Sequence, residues 1–258
     1  MRTIVITGSA SGIGAATQQQ FEAADARVIG VDIARAEIRV DLCTAQGRAE
    51  AVARILERTD GVIDGLICCA GLGPEADPPA RPASVNYFGT VDLLDGLFDA
   101  LKRGNRPAAV AVSSNSAVLQ SWSGSELRNA YLDHDEARVH ALLDACPADQ
   151  AGYAAYASSK NALAVAVRRR AAAWGRDGVR LNAVAPGPVQ TPMLEAGMRD
   201  PRYGTAIRQF VPPVGRRAEP GEIAALIHYL CGEQAGFIHG SVLFIDGGHD
   251  ASVRPDVF

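Results

Sequence analysis

The chain has 258 residues, 48% hydrophobic and 21% charged, which is enough for one α/β domain with a full core. Its net charge of −4 argues against a nucleic-acid surface, which needs a basic face, and no apolar run is long enough to span a bilayer. The five cysteines are an odd number, with Cys68 and Cys69 adjacent in an apolar run; they read as buried thiols of a reducing cytoplasm, not a disulfide framework or a metal site.

Met1-Arg2 runs straight into TIVITG, which predicts no leader. Thr3 to Ile6 is a short apolar run and predicts a buried parallel strand. It ends in TGSASGIG, and the helical pattern AATQQQFEAA follows. Strand, glycine turn and helix in that order are the setting of a dinucleotide fingerprint. Gly8, Gly12 and Gly14, with Ser11 and Ile13 between them, are spaced G-x-x-x-G-x-G. The glycines let the backbone approach a pyrophosphate, and the helix N-terminus offers free N–H groups and a positive dipole. Arg27 to Val31 predicts the second strand, which stops at Asp32-Ile33. Asp32 lies 18 positions past Gly14, where a carboxylate meets the adenosine ribose 2′-hydroxyl and repels a 2′-phosphate. The alternative is a strand-end Asp that caps a turn. Ile38 to Leu42 reads as a short extended piece, with Asp41 and Leu42 facing the adenine edge and one of its faces.

Ala45 to Arg58 has helical periodicity. Ile63 to Cys69 predicts a third buried strand that ends in Cys69-Ala70-Gly71, small residues that suit a cofactor lying across a strand end. A proline-rich loop covers Gly73 to Pro82, and one long helix is expected from Ala83 to Lys102. Asn86 lies inside it and reads, on sequence alone, as a solvated helical Asn. Ala108 to Val112 predicts the fourth strand, followed by SSNSA. Ser121 to Asp149 is polar and breaks the rhythm; it reads as an insertion on the sheet's carboxyl edge, with helices around Ser125–Tyr131 and Asp135–Cys146. The next helix is expected from Ala151 to Trp174 and carries YASSK. Four residues apart on a helix, Tyr156 and Lys160 share a face, and an ammonium beside a phenol lowers its pKa towards working pH. That makes Tyr156 a candidate general acid/base. The consecutive Arg168, Arg169 and Arg170 read as solvated charges. Val179 to Val184 predicts the fifth full strand and APGPVQTPM a loop at its carboxyl end. Residues 188–214 read as a lid over the cleft. A helix from Pro220 to Cys231 and a last strand from Val242 to Ile245 complete a single doubly wound α/β domain of the Rossmann type, with a parallel sheet flanked by helices on both faces.

The set TGSASGIG, Asp32, CAG at 69–71, Val85-Asn86, Ser113-Ser114, YASSK and Pro186-Gly187 resembles the short-chain dehydrogenase/reductase family, in order and over essentially the whole chain. The resemblance implies an NAD-dependent oxidoreductase that interconverts a secondary alcohol and a ketone. Ser114, the second serine after the strand, would bond the substrate oxygen, and Tyr156 would carry the proton. Lys160 would lower the Tyr156 pKa and hold the nicotinamide ribose. Asn86 would anchor a proton-relaying water, which replaces the solvated reading. Thr191 would touch the carboxamide, and Pro186, Gly187 and Val189 would shape its pocket. Two departures stand out. Cys68-Cys69 replaces the family's Asn-Asn, so only backbone contacts survive there. The insertion at 121–149 makes the stretch between Ser114 and Tyr156 unusually long and must wall the cleft or cover a subunit interface. Val118, Leu119, Trp122, Met193, Leu194, Met198, Phe210 and Val211 predict an apolar pocket for a steroid, terpenoid or aromatic substrate. A homodimer is expected over a homotetramer. A non-catalytic dinucleotide-binding regulator is the reading from another class.

Overall fold

The computed structural model describes residues 1–257. Its strands are apolar almost without interruption, as expected of a parallel sheet covered on both faces; every residue of β5 (Ala108–Val112) is buried. The other strands are β1 (Thr3–Thr7), β2 (Arg27–Asp32), β3 (Ile38–Arg39), β4 (Gly65–Cys68), β6 (Arg180–Pro186) and β7 (Val242–Ile245). All pair in parallel, in the order β3-β2-β1-β4-β5-β6-β7. The direction of winding reverses between β1 and β4, so a crevice opens at their carboxyl ends.

Strand alternation divides the core into two layers. Ile4, Ile6, Ile67 and Val110 face α1 (Gly12–Ala23) and α11 (Pro220–Cys231), where they meet Phe21, Ile223, Ile227 and Leu230. Val5, Leu66, Ala109 and Ala111 face the opposite layer. That layer is built from α2 (Ala45–Arg58), α3 (Ala80–Ala83), α4 (Gly89–Gly96), α5 (Phe98–Lys102), α6 (Glu126–Leu132), α7 (Glu136–Asp144) and α8 (Ala148–Arg176). Each fully buried Leu or Ile contributes roughly 1.5–3 kcal/mol. The α2 start is fixed by Thr44, whose hydroxyl accepts from the Gly47 N–H at 3.0 Å. The α11 start is fixed by Pro220 and by Glu222, which accepts from the Glu219 N–H at 2.8 Å. The remaining helices, α9 (Pro192–Arg199), α10 (Gly204–Gln209) and α12 (His249–Val253), stand over the crevice end.

Two expectations need correction. The helix predicted from Ala83 to Lys102 is not continuous. It starts at Ala80, widens into a π-turn over Ser84–Phe88, resumes as α4, and bends at Leu97 before α5. Such turns gather at functional sites, and Asn86 sits in this one, fully buried. Its amide copies a strand partner for the loop after β4, accepting from the Leu72 N–H at 2.8 Å and donating to the Leu72 carbonyl at 3.1 Å. The solvated reading fails because the buried side chain finds its partners in the backbone of Leu72 rather than in water.

The second correction concerns the insertion. Its helices form near the predicted places, but no residue of 121–149 is among those lining the cleft. Tyr131, Val139 and Leu143 are buried in the core instead, and α6 packs on α8. Of the two roles expected for this stretch, walling the cleft is the one the fold rejects. The catalytic-motif helix also starts earlier than expected, at Ala148 after Pro147.

Candidate active site

The cleft at the switch between β1 and β4 encloses about 710 Å³. The glycine turn enters it first. A Cβ on Gly14 would collide with the Gly8 carbonyl oxygen, so only glycine lets the turn close. At the next position back from the helix, Ser11 makes no capping hydrogen bond with its side chain, and the first turn of α1 has no acidic residue. The leading N–H groups of α1 are thus left for an anion. Asp32 lies across the turn. Its Oδ2 accepts from the Ala10 N–H at 3.1 Å and its Oδ1 from the Ala34 N–H at 2.9 Å. Those two bonds hold the carboxylate at the β2 end, as the turn-capping reading expects, and Asp32 also lines the cleft.

The cleft brings together Gly8, Ser11, Gly12, Ile13, Gly14, Asp32, Ile33, Asp41, Leu42, Cys69, Ala70, Gly71, Ser114, Tyr156, Lys160, Pro186, Gly187, Val189 and Thr191. These are all the predicted site residues except Asn86, which lies directly behind. A Cβ on Gly71 would stand 3.1 Å from Asn86 Oδ1 and 3.4 Å from Lys160 Nζ, so Gly71 keeps the two groups within reach of one space. These residues fit a nicotinamide dinucleotide: an anion-ready helix end, a carboxylate for a ribose, and apolar walls at both ends.

The reacting end is built on β5 and α8. Ser113 also lines the cleft, but its hydroxyl is committed to the Lys160 carbonyl at 2.8 Å, which ties the strand to the helix. Ser114 faces the cleft; its Oγ accepts from the Ser116 N–H at 3.2 Å and donates to Ser116 Oγ at 3.1 Å. Lys160 Nζ donates to the Val112 carbonyl at 2.8 Å and lies 6.0 Å from the centre of the Tyr156 ring. This overturns one expectation. Burial raises the Tyr156 pKa above its ordinary value, the neighbouring Ser114 hydroxyl pulls it partly back, and Glu75 and Tyr153 push it up further. The lysine charge is spent on a backbone carbonyl and is itself reduced, since burial lowers its pKa to about 8. Cys69 is likewise held as a thiol, pushed up by burial to about 12. Cys68 and Cys231 are buried thiols, whereas Cys43, Cys69 and Cys146 are only partly buried, so the expectation of buried thiols holds for two of the five.

Of the predicted apolar wall, Leu119, Met193, Leu194 and Phe210 line the cleft; Val118, Trp122, Met198 and Val211 do not. Trp122, within the insertion, is buried and Val211 is exposed. The structure adds Glu75, Tyr153, Tyr203 and His249. Tyr153 was within reach of sequence reasoning, three residues before Tyr156 on the same helix face. The others come from distant loops and carry no local signal.

A family model described as enoyl-(acyl carrier protein) reductase matches residues 8–250. The fold and this cleft define a nicotinamide-dependent oxidoreductase, and the chain belongs to the short-chain dehydrogenase/reductase family. It is 49% identical to a 3-alpha-hydroxysteroid dehydrogenase/carbonyl reductase from Comamonas testosteroni, over 100% of both chains. It is also similar to the crystal structure of the 3-alpha-hydroxysteroid dehydrogenase from Pseudomonas sp. B-0831 complexed with NADH. The TM-score there is 0.95 at 50% identity, with 99% of this chain and 100% of that chain covered. A cis-4-hydroxycyclohexanecarboxylate dehydrogenase from Sinomonas cyclohexanicum is 29% identical over 97% of each chain. The chain is an oxidoreductase that interconverts a secondary alcohol and a ketone with a nicotinamide dinucleotide. No helix among the described residues is long and apolar enough to cross a membrane.

Proposed function

We propose that this protein is an NAD-dependent hydroxysteroid dehydrogenase and carbonyl reductase. The observation that carries the reading is one cleft holding Ser114, Tyr156 and Lys160 at one end and the Asp32 carboxylate at the other. The names of the two relatives near 50% identity support the steroid half. When bound, the nicotinamide exchanges a hydride with the reacting carbon; the rest is done by side chains of this chain. In reduction, Tyr156 gives its proton to the carbonyl oxygen, and burial keeps the phenol protonated for that task. Ser114, its Oγ oriented by the Ser116 N–H, donates to the same oxygen and stabilises its developing charge. In oxidation the two roles reverse. Lys160 lines the same cleft, where the N–H groups of its ammonium not given to the Val112 carbonyl would hold a ribose hydroxyl. Asn86 braces the bend beside it through Leu72 and a 3.3 Å bond to Ser159 Oγ. The carboxylate of Asp32 favours NAD by repelling a 2′-phosphate. Residues 1–258 act as one domain in the cytoplasm, with 188–214 as the lid.

A panel of hydroxysteroids and simple cyclic alcohols, each with NAD and with NADP, tests the reading through the appearance of reduced cofactor. Steroid turnover with a higher kcat/KM for NAD is expected. Turnover of other alcohols alone replaces the substrate, and a preference for NADP removes the role of Asp32. Tyr156→Phe should lower kcat by roughly 10²- to 10⁴-fold, the usual contribution of a general acid, while NADH still binds. NADH binding by the unsubstituted protein without turnover of anything would favour the regulator.

A further inference from the structure

The cleft holds a carboxyl that proton transfer at Tyr156 does not use. Glu75 lies in the loop after β4 and lines the cleft. Its Oε2 is shielded from solvent and has no hydrogen-bond partner in the protein, and burial raises its pKa. The nearest cation is committed elsewhere. Arg202 grips the Asp200 carboxylate at 3.1 and 2.9 Å and gives its remaining bond to the backbone carbonyl of Glu75, at 3.1 Å. A second polar group in the same cleft is in the same condition: the Tyr203 hydroxyl, between α9 and α10, is shielded and unpartnered.

Both groups meet the face of α8 that carries Tyr156. A Cβ on Gly152, one helical turn before Tyr156, would stand 2.8 Å from the Tyr203 hydroxyl and would collide with the Pro74 carbonyl. Glu75 is near enough to raise the Tyr156 pKa. The backbone is shaped around the carboxyl: a Cβ on Gly73 would collide with Oε2, and one on Gly197 of α9 would lie 3.7 Å from it. Tyr153 adds a third hydroxyl-bearing side chain to the same wall. Unpaired buried polar groups are destabilising, and they persist at sites where a ligand supplies the missing partner.

Resting on the reading of Tyr156 as the proton carrier of this cleft, we infer that Glu75 is a specificity-determining residue. Its carboxyl, with the Tyr203 hydroxyl lining the same cleft, receives a second hydroxyl group of the substrate, away from the reacting carbon. The preferred substrates are neutral cyclic ketones and alcohols that bear a further hydroxyl. A carboxylate at that end is disfavoured, because it would meet the Glu75 carboxyl, which lines the cleft.

The test is kcat/KM with NADH for matched ketone pairs, one member carrying a ring hydroxyl and the other lacking it. One set of pairs is of 3-ketosteroids, the other of substituted cyclohexanones, so the result does not depend on steroid turnover. The full-length protein should favour the hydroxylated member of a pair by roughly tenfold or more, the discrimination typical of a built hydrogen-bonding site. Glu75→Ala should bring that ratio to about one through KM, and Glu75→Gln should restore part of it, because an amide still bonds a hydroxyl. If Glu75→Ala does not fold, Tyr203→Phe, which deletes one oxygen, reads the same ratio and should lower it. Turnover without discrimination in any pair, or a Glu75→Gln or Tyr203→Phe enzyme with an unchanged ratio, overturns the inference and leaves the proposed function standing. Absence of turnover with every ketone overturns both.

Discussion

Tyr156 and Lys160 show how one pair of residues can be legible in sequence and misread in energy. Their four-residue spacing places them on one face of α8, as expected. The expected direction of the tyrosine shift does not follow, because burial acts on both groups and the ammonium is turned to the Val112 carbonyl. Burial of Lys160 has a consequence for stability. Its folded pKa of about 8 lies below the ordinary lysine value of about 10.4, so the folded chain holds fewer protons than the unfolded one between those values. Stability must therefore rise with pH across that window, and the destabilisation is fully present below pH 8. A shift of this size corresponds to about 3 kcal/mol. Lys160→Met is expected to lose activity and to exceed the unsubstituted protein in Tm at pH 7, by a margin that shrinks towards pH 10. A margin that grows with pH would contradict the sign. Such a substitution exchanges function for stability.

At the scale of elements, prediction succeeded where a pattern is local and failed where partners are distant. The helices over Ala45–Arg58 and Pro220–Cys231 and the strands Ala108–Val112 and Val242–Ile245 match their sequence patterns residue for residue. The π-turn at Asn86 was invisible, because its cause is the backbone of Leu72 in another loop. The insertion was visible as helices, but its seat was not, since that depends on Arg48, 88 positions before Glu136. Arg48 is 3% exposed and bonds Asp92 at 2.6 Å and Glu136 at 2.5 Å. It therefore staples α2, α4 and the insertion helix α7 together. It also donates to the Leu42 and Cys43 carbonyls at 3.4 Å, beside the predicted adenine end of the cleft. Removing one partner of a buried pair typically costs about 3–5 kcal/mol; Asp92 and Glu136 are about a quarter exposed, which puts Arg48→Met near the lower figure. Urea unfolding should show that loss together with weaker NADH binding. A variant of unchanged stability would mean that the carboxylates find other partners.

For the whole molecule, the parallel sheet and the residues that line the cleft were readable because each rests on an ordered set of short motifs with a fixed physical meaning. The substrate end was not, since Glu75, Tyr203 and His249 reach it from three separate segments. The assembly follows from how the insertion is placed. Oligomers of one chain are mostly closed and two-fold symmetric, and the long helix that could offer such a face here is α8, of 29 residues. In this chain α6 and α7 lie against α8, and Tyr131 contacts Tyr87 and Phe88 at ring-centre distances of 5.1 and 5.8 Å. A partner subunit approaching that face would meet the insertion before it met the bare helices. The opposite end of the sheet carries no such cover: Phe237 and Tyr229, beside β7 and on α11, are exposed. A two-fold contact through that exposed end, with the α8 face covered by the insertion, predicts a homodimer in solution. Light scattering at concentrations well above the dissociation constant should give twice the chain mass, and Phe237→Glu should shift it towards the monomer. A tetramer would mean that α6 and α7 take part in the contact themselves, and a dimer indifferent to Phe237→Glu would place the interface on the insertion face.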